Sequence, residues 1–204
     1  MVKTTTIRLL ATGALAALLS ACSILPKGPE LTVYQLPQRQ IQAQSVIVPD
    51  EILRVAIPYS RSYLNTHRIV TVTPEHSLAV MDGIRWEDSA PVVFRDSLIR
   101  ALRGAEVYRA VINDDTASGD HSLRSDLQDF QLDLSEQPGQ VVISLDVSLS
   151  NLRNKDALIK TRSFSARAPL QAESNDAVIT AFADANQQIQ QQIIQWLAAE
   201  VKTR

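Results

Sequence analysis

The sequence predicts an α+β domain, an antiparallel-rich sheet with two main helices packed on one face. Three observations carry that expectation. Residues 141–149 alternate strictly, with Val141, Ile143, Leu145, Val147 and Leu149 on one side and Val142, Ser144, Asp146 and Ser148 on the other. Residues 175–200 place Val178, Phe182, Ala185, Ile189, Ile193 and Trp196 at spacings close to 3.6, a single helical stripe. The segments around residues 141–149 are joined by short turns, which makes antiparallel neighbours of them.

The elements follow in order. Residues 1–21 read as an export signal: Lys3 and Arg8 form a positive start, and LLATGALAALL supplies an apolar stretch too short to span a bilayer. Leu19-Ser20-Ala21-Cys22 resembles the lipobox of bacterial lipoproteins. That resemblance implies diacylglyceryl transfer to the Cys22 sulfur, cleavage after Ala21 and N-acylation of the new amino terminus. Several acyl chains give stable anchoring where one gives only marginal binding. Cys22 is the predicted lipidation site, and residues 22–30 are the acylated cysteine and its tether, broken by Pro26, Gly28 and Pro29. By the same resemblance Ser23, rather than Asp, favours the periplasmic face of the outer membrane of a Gram-negative cell.

Residues 31–204 are expected to form one domain. Residues 31–36 and 52–57 are short strands closed by Pro37 and Pro58, and Gln38–Gln44 is a polar loop. Residues 68–73 and 78–81 flank Pro74-Glu75-His76-Ser77 as a hairpin. The first helix covers residues 90–103, capped by Asp88 or Ser89, with Pro91 in its first turn and Gly104 at its C′ position. A strand over 106–112 and a polar loop over 113–120 come next. Residues 123–134, 141–149 and 158–168 form a three-stranded meander, the first carrying a β-bulge between Leu127 and Phe130. The last helix starts at a Ser174 or Asn175 cap.

Composition narrows the function. Twenty basic against 22 acidic residues give a net charge of −2, and loss of Lys3 and Arg8 on processing takes it to about −4, so no basic surplus points to nucleic acid. One cysteine excludes a disulfide framework and a cysteine-rich metal site. No nucleophile elbow, phosphate loop or dinucleotide fingerprint occurs, so no catalytic residue, metal ligand or dissociable cofactor is assigned. His67, His76 and His121 read as surface histidines. Asp114, Asp115 and Asp120 lack calcium-loop spacing, and alternation puts Asp126 on the face opposite Asp129 and Asp133. Asn186, Gln187, Gln190 and Gln191 form the polar face of the last helix. Gln187, Gln190 and Gln191 are candidate partner contacts beside solvation, as are Trp86, which otherwise staples the first helix to the sheet, and His67.

Several segments, in order, resemble the PqiC/YmbA family of auxiliary lipoproteins for ABC-type and MCE-type intermembrane transport. They are Cys22, Val33-Tyr34-Gln35-Leu36-Pro37, Leu53-Arg54-Val55-Ala56-Ile57-Pro58, Tyr63-Leu64 before Ile69-Val70, and Arg85-Trp86-Glu87 before a helix. Phe130, the 141–149 strand, Phe164 and a closing helix with Ala181, Ala185, Ile189 and Trp196-Leu197 complete the match. Asn65-Thr66-His67 departs from the family's usual Asp/Arg-Pro stretch. The resemblance implies a non-enzymatic, outer-membrane-tethered subunit engaging a periplasmic MCE-domain protein that moves phospholipid or similar cargo. The alternative is a lipoprotein that itself binds lipid or lipopolysaccharide as a carrier or assembly factor. Cargo, direction of transport and self-association stay open.

Overall fold

Along one edge of the 13-residue strand β7 (His121–Asp133) runs β8 (Gln140–Asn151), antiparallel over its whole length; along the other, three short strands lie end to end. These are β2 (Ile52–Val55), β3 (Tyr59–Ser60) and β4 (Arg68–Val72), each parallel to β7. The sheet extends outward on both sides. β9 (Lys160–Pro169) lies antiparallel beyond β8 and β6 (Ala110–Asn113) parallel beyond β2. β5 (Leu78–Trp86) lies antiparallel beyond β4, with β1 (Thr32–Tyr34) parallel at the margin. This computed structural model describes residues 31–41, 50–113, 118–154 and 159–202; Cys22 and the tether, where the lipidation site was predicted, lie outside them.

The α+β class and the meander of β7, β8 and β9 agree with the sequence, and the longest ladders are antiparallel. The parallel pairings were not foreseen. Those of β2, β3 and β4 go together because residues 52–72 are one interrupted path along β7, and segments of one path on one edge run the same way. Pro58, which has no N–H to give a ladder, sits in the first interruption.

Both helices, α1 (Ala90–Ala105) and α2 (Asn175–Lys202), pack against the sheet and against each other. Trp86, Phe130 and Phe182 meet in the centre of the core, with Trp86–Phe182 and Phe130–Phe182 ring centroids 5.0 Å apart. Phe94 of α1 joins edge-on to Phe130 at 6.4 Å. The long stripe of α2 is buried as its period required: Phe182, Ala185, Ile189, Ile193 and Leu197 have no exposed surface.

Local chemistry explains several boundaries. Ser174 Oγ accepts the Ala177 N–H and caps α2. Ser89 occupies the N-cap of α1 without a side-chain bond to the helix, and Pro91 sits in the first turn. The other end of α1 differs from expectation: Gly104 is helical, and Glu106 takes the left-handed conformation at φ 53°. In β5, Gly83 has φ +73° where the pairing with β4 jumps from Val80 to Arg85. This left-handed step, which a side chain resists, returns Ile84 and Trp86 to the core side.

The bulge in β7 falls between Leu127 and Asp129. It overturns the expected division of the three aspartates. Leu127 and Phe130 both face the core, so Asp126, Asp129 and Asp133 all lie on the outer sheet face, away from the helices.

Candidate interaction surfaces

The amide-rich face of α2 does not lie open to solvent as expected. Asn186 and Gln190 are buried between the helices, where both amide nitrogens donate to Ser97 Oγ of α1 at 2.8 Å. Ser97 in turn donates to Gln38 Oε1 at 3.0 Å, which also accepts from Arg100 Nε at 3.2 Å. Gln187 donates to the Gln40 carbonyl at 3.0 Å, and Arg39 forms an ion pair with Asp184 at 2.8 Å. Residues 38–41, part of the expected polar loop Gln38–Gln44, thus belong to a strap across both helices that is pinned at its start by buried Leu36.

One predicted partner contact is therefore corrected: Gln190 is fully buried, whereas Gln187 is half-buried with its amide nitrogen bonded to the strap. Two helices side by side on one sheet leave α2 with three environments, and residues at i and i+4 that look solvated on a two-faced helix fall into the helix–helix seam. Gln191 stays exposed. Trp86 is also removed as a partner contact: its ring is wholly buried against Phe130 and Phe182, the stapling role. His67 is exposed, and its carbonyl accepts the Trp86 N–H at 2.7 Å.

His121 is the second histidine finding and another correction. It has no exposed surface, lies 3.5 Å from the Glu51 carboxylate by Nδ1, and packs near the Tyr108 ring. β7 begins there, flanked by β2 and β8, which covers a residue that the sequence read as a surface histidine. Beside it Asp120 accepts the Ile52 N–H at 2.8 Å and pairs with Arg153. The Ile52 hydrogen bond, more than the Arg153 charge, holds the Asp120 carboxyl below the usual carboxylate range. Asp120 is thus a clasp joining β2 to the β7–β8 end of the sheet. Among the described residues no group of three or more His, Cys, Asp or Glu side chains could hold a metal ion.

Two concavities among the described residues bear on a ligand or partner. One, of about 560 Å³, lies at the end of the sheet beneath the start of α2 and is lined by Pro74, Met81, Leu132, Leu134, Pro138 and Leu170 among others. The other, of about 460 Å³, is a groove on the outer face, lined by Ser62, Tyr63, Thr66, Val70, Leu78 and Val80. Beside it Arg68 and Arg85 are register partners on β4 and β5. Sequence reasoning missed the strap and both concavities. Ser97 amid the apolar stripe of the first helix, with Asn186 and Gln190 one turn apart on the last, was the available signal for the strap's anchor.

Comparison with known proteins follows this geometry. A Xanthomonas campestris protein of the DUF330 family superimposes with a TM-score of 0.75 at 22% identity, over 84% of this chain and 98% of its own. An uncharacterized protein gives 0.61 at 19% identity, over 84% and 99%. A hypothetical protein from Chlamydia trachomatis gives 0.56 at 8%, over 76% and 100%. At these identities the likeness is one of fold. No curated protein sequence matches the chain. The model of one sequence family matches residues 34–194, from the last residue of β1 to the last third of α2. The chain belongs to the family of ABC-type transport auxiliary lipoprotein components.

Proposed function

We propose that this protein is held by acyl chains on Cys22 at the periplasmic face of the outer membrane. There it serves as a non-catalytic auxiliary subunit of an ABC/MCE-type system moving phospholipid between membranes, with a periplasmic MCE-domain protein as its partner. The family match over residues 34–194 carries the reading, since it covers the domain from β1 into α2. The lipobox and Ser23 support the anchor and its membrane. Eight residues, 23–30, separate Cys22 from the domain; fully extended they reach roughly 26–29 Å. The domain therefore works close to the membrane and meets the distal end of whatever spans the periplasm. A net charge near −4 after processing gives little long-range steering, so recognition rests on local surface such as Gln191 and the His67 loop.

The test is crosslinking of the lipoprotein in native membranes, with identification of bound proteins and lipids. Recovery of an MCE-domain protein supports the reading. Cys22→Ser should leave unprocessed or soluble chain, and a processed outer-membrane form of that variant refutes the anchor. Ser23→Asp should move the protein toward the inner membrane. The second reading, a direct lipid carrier, is favoured by the largely apolar 560 Å³ cleft, whose size lies in the range of small-molecule sites. Lipid recovered in stoichiometric amount without any transport protein would put that reading first.

A further inference from the structure

We propose that the outer sheet face along β1, β4 and β5 is a docking surface for the phospholipid membrane that carries the anchor, so that the domain lies face-down rather than swinging on its tether. The proposal rests on the Cys22 anchor reading. Strand register puts Val33 beside Arg85 and Arg85 opposite Arg68, with Val70 opposite Val80 and Val72 opposite Leu78. Trp86, Tyr34 and Ile69 take the alternate, core-facing positions, so Val33, Arg68, Arg85, Leu78 and Val80 share the face away from the helices.

Two features of this face point to a lipid surface. The first is apolar: Leu31, Val33, Leu78 and Val80 are 44%, 47%, 54% and 42% exposed, and the last two border the 460 Å³ groove. A cluster of exposed aliphatics at one margin of a sheet is an interaction patch rather than scattered surface. The second is electrostatic. Like charges directly opposite across a ladder destabilise it. Arg68 and Arg85 stand so, no carboxylate pairs with either among the described residues, and Arg85 Nε is buried with no hydrogen-bond partner. An anion between them satisfies both, and lipid phosphates supply it. Exposed aliphatics beside two arginines match the acyl–headgroup boundary of a bilayer.

Carboxylates share this face, Asp82 at the parity of Val80 on β5 and Asp126, Asp129, Asp133 and Asp146 on β7 and β8. Among the described residues none forms an ion pair with Arg68 or Arg85, and Asp129, Asp133 and Asp146 accept from Ser144, Ser135 and Ser163. The chain's route favours the membrane over other occupants: the tether ends at Leu31, the first residue of the patch, so the chain leaves the domain for its anchor from this margin.

The test uses the mature acylated protein in vesicles of phosphatidylethanolamine and phosphatidylglycerol. Val33→Cys, Leu78→Cys and Gln191→Cys are labelled singly with a fluorophore, and quenching by brominated lipid is compared. Quenching at 33 and 78 well above that at 191 is expected. Arg68→Gln with Arg85→Gln should shift the docked population by roughly 25-fold, at about fivefold per arginine, while Arg68→Lys with Arg85→Lys retains it. Equal quenching at all three positions overturns the proposal, as does crosslinking of positions 33 and 78 to a protein of the native membrane instead of lipid. Mass spectrometry judges the anchor separately. A chain without acyl chains refutes the anchor alone, and added vesicles must then still quench 33 and 78 above 191 or the docking face falls too.

Discussion

Replacing Ser97 by alanine removes one oxygen and strands two buried amides. Asn186 Nδ2 and Gln190 Nε2 both donate to that hydroxyl at 2.8 Å, and both residues are buried. A buried donor left without an acceptor costs about 1–3 kcal/mol, so two give roughly 2–6 kcal/mol before relaxation. Gln38 Oε1 keeps its bond from Arg100, so the strap loses one contact rather than all. We expect about 3 kcal/mol, or roughly 6–12 °C in Tm for a domain of this size. Urea unfolding with an unchanged m value is the assay. The triple variant Ser97→Ala, Asn186→Leu, Gln190→Leu should recover most of the loss, because it leaves no polar group unpaired there. A single-variant cost below about 0.5 kcal/mol, or a triple variant no more stable than the single, would refute the knot as described.

Other outcomes are equally measurable. Phe182→Ala should cost about 3–5 kcal/mol and Ile193→Ala about 2–5 kcal/mol in the same assay, since both sit fully buried against the sheet. Gly83→Ala should destabilise by roughly 1–2 kcal/mol although nothing lies within 4 Å of the added methyl, because φ +73° is the obstacle; a neutral result would mean the β5 bend re-forms otherwise. Asp120 titrates below its unfolded value, so its contribution is present at neutral pH and lost as pH falls through the folded value. Asp120→Asn should therefore lie below the wild type at pH 7 and converge on it as pH falls below the ordinary carboxylate range and through the folded value, and a gap constant with pH would remove the carboxylate clasp.

What could be read in the sequence follows from how local its cause is. The β7–β8–β9 meander and the α2 stripe depend on alternation or period within a dozen residues, and both stand in the structure. The hairpin around Pro74-Glu75-His76-Ser77 depends on turn chemistry and is equally plain, with His76 at φ 58°. The parallel edge of β7 has no local signature, because Leu53, Tyr59 and Val70 find their partners only across α1 and the loops between. The same limit applies to the polar seam. Gln190 on α2 and Ser97 on α1 are 93 residues apart, and an amide looks solvated until its acceptor is in place. The two outer-face arginines are conspicuous only once register sets Arg68 against Arg85.

The end-to-end packing of β2, β3 and β4 along β7 has a consequence for the order of events as the chain is made. Synthesis runs from the amino terminus, and domain folding during synthesis follows what has already emerged. Here the first three of these strands appear long before the strand they need: Leu53 waits for His121 and Val70 for Gln131. The meander that follows closes through short turns, so it is the fast-forming part, and the slow step is recruitment of the earlier half onto its vacant edge. Until then that half exposes unpaired ladders with apolar side chains, the condition in which chains aggregate. A chain arrested before residue 121 has no sheet to join, whereas one lacking β1 and the strap still holds the central strand and all its direct partners.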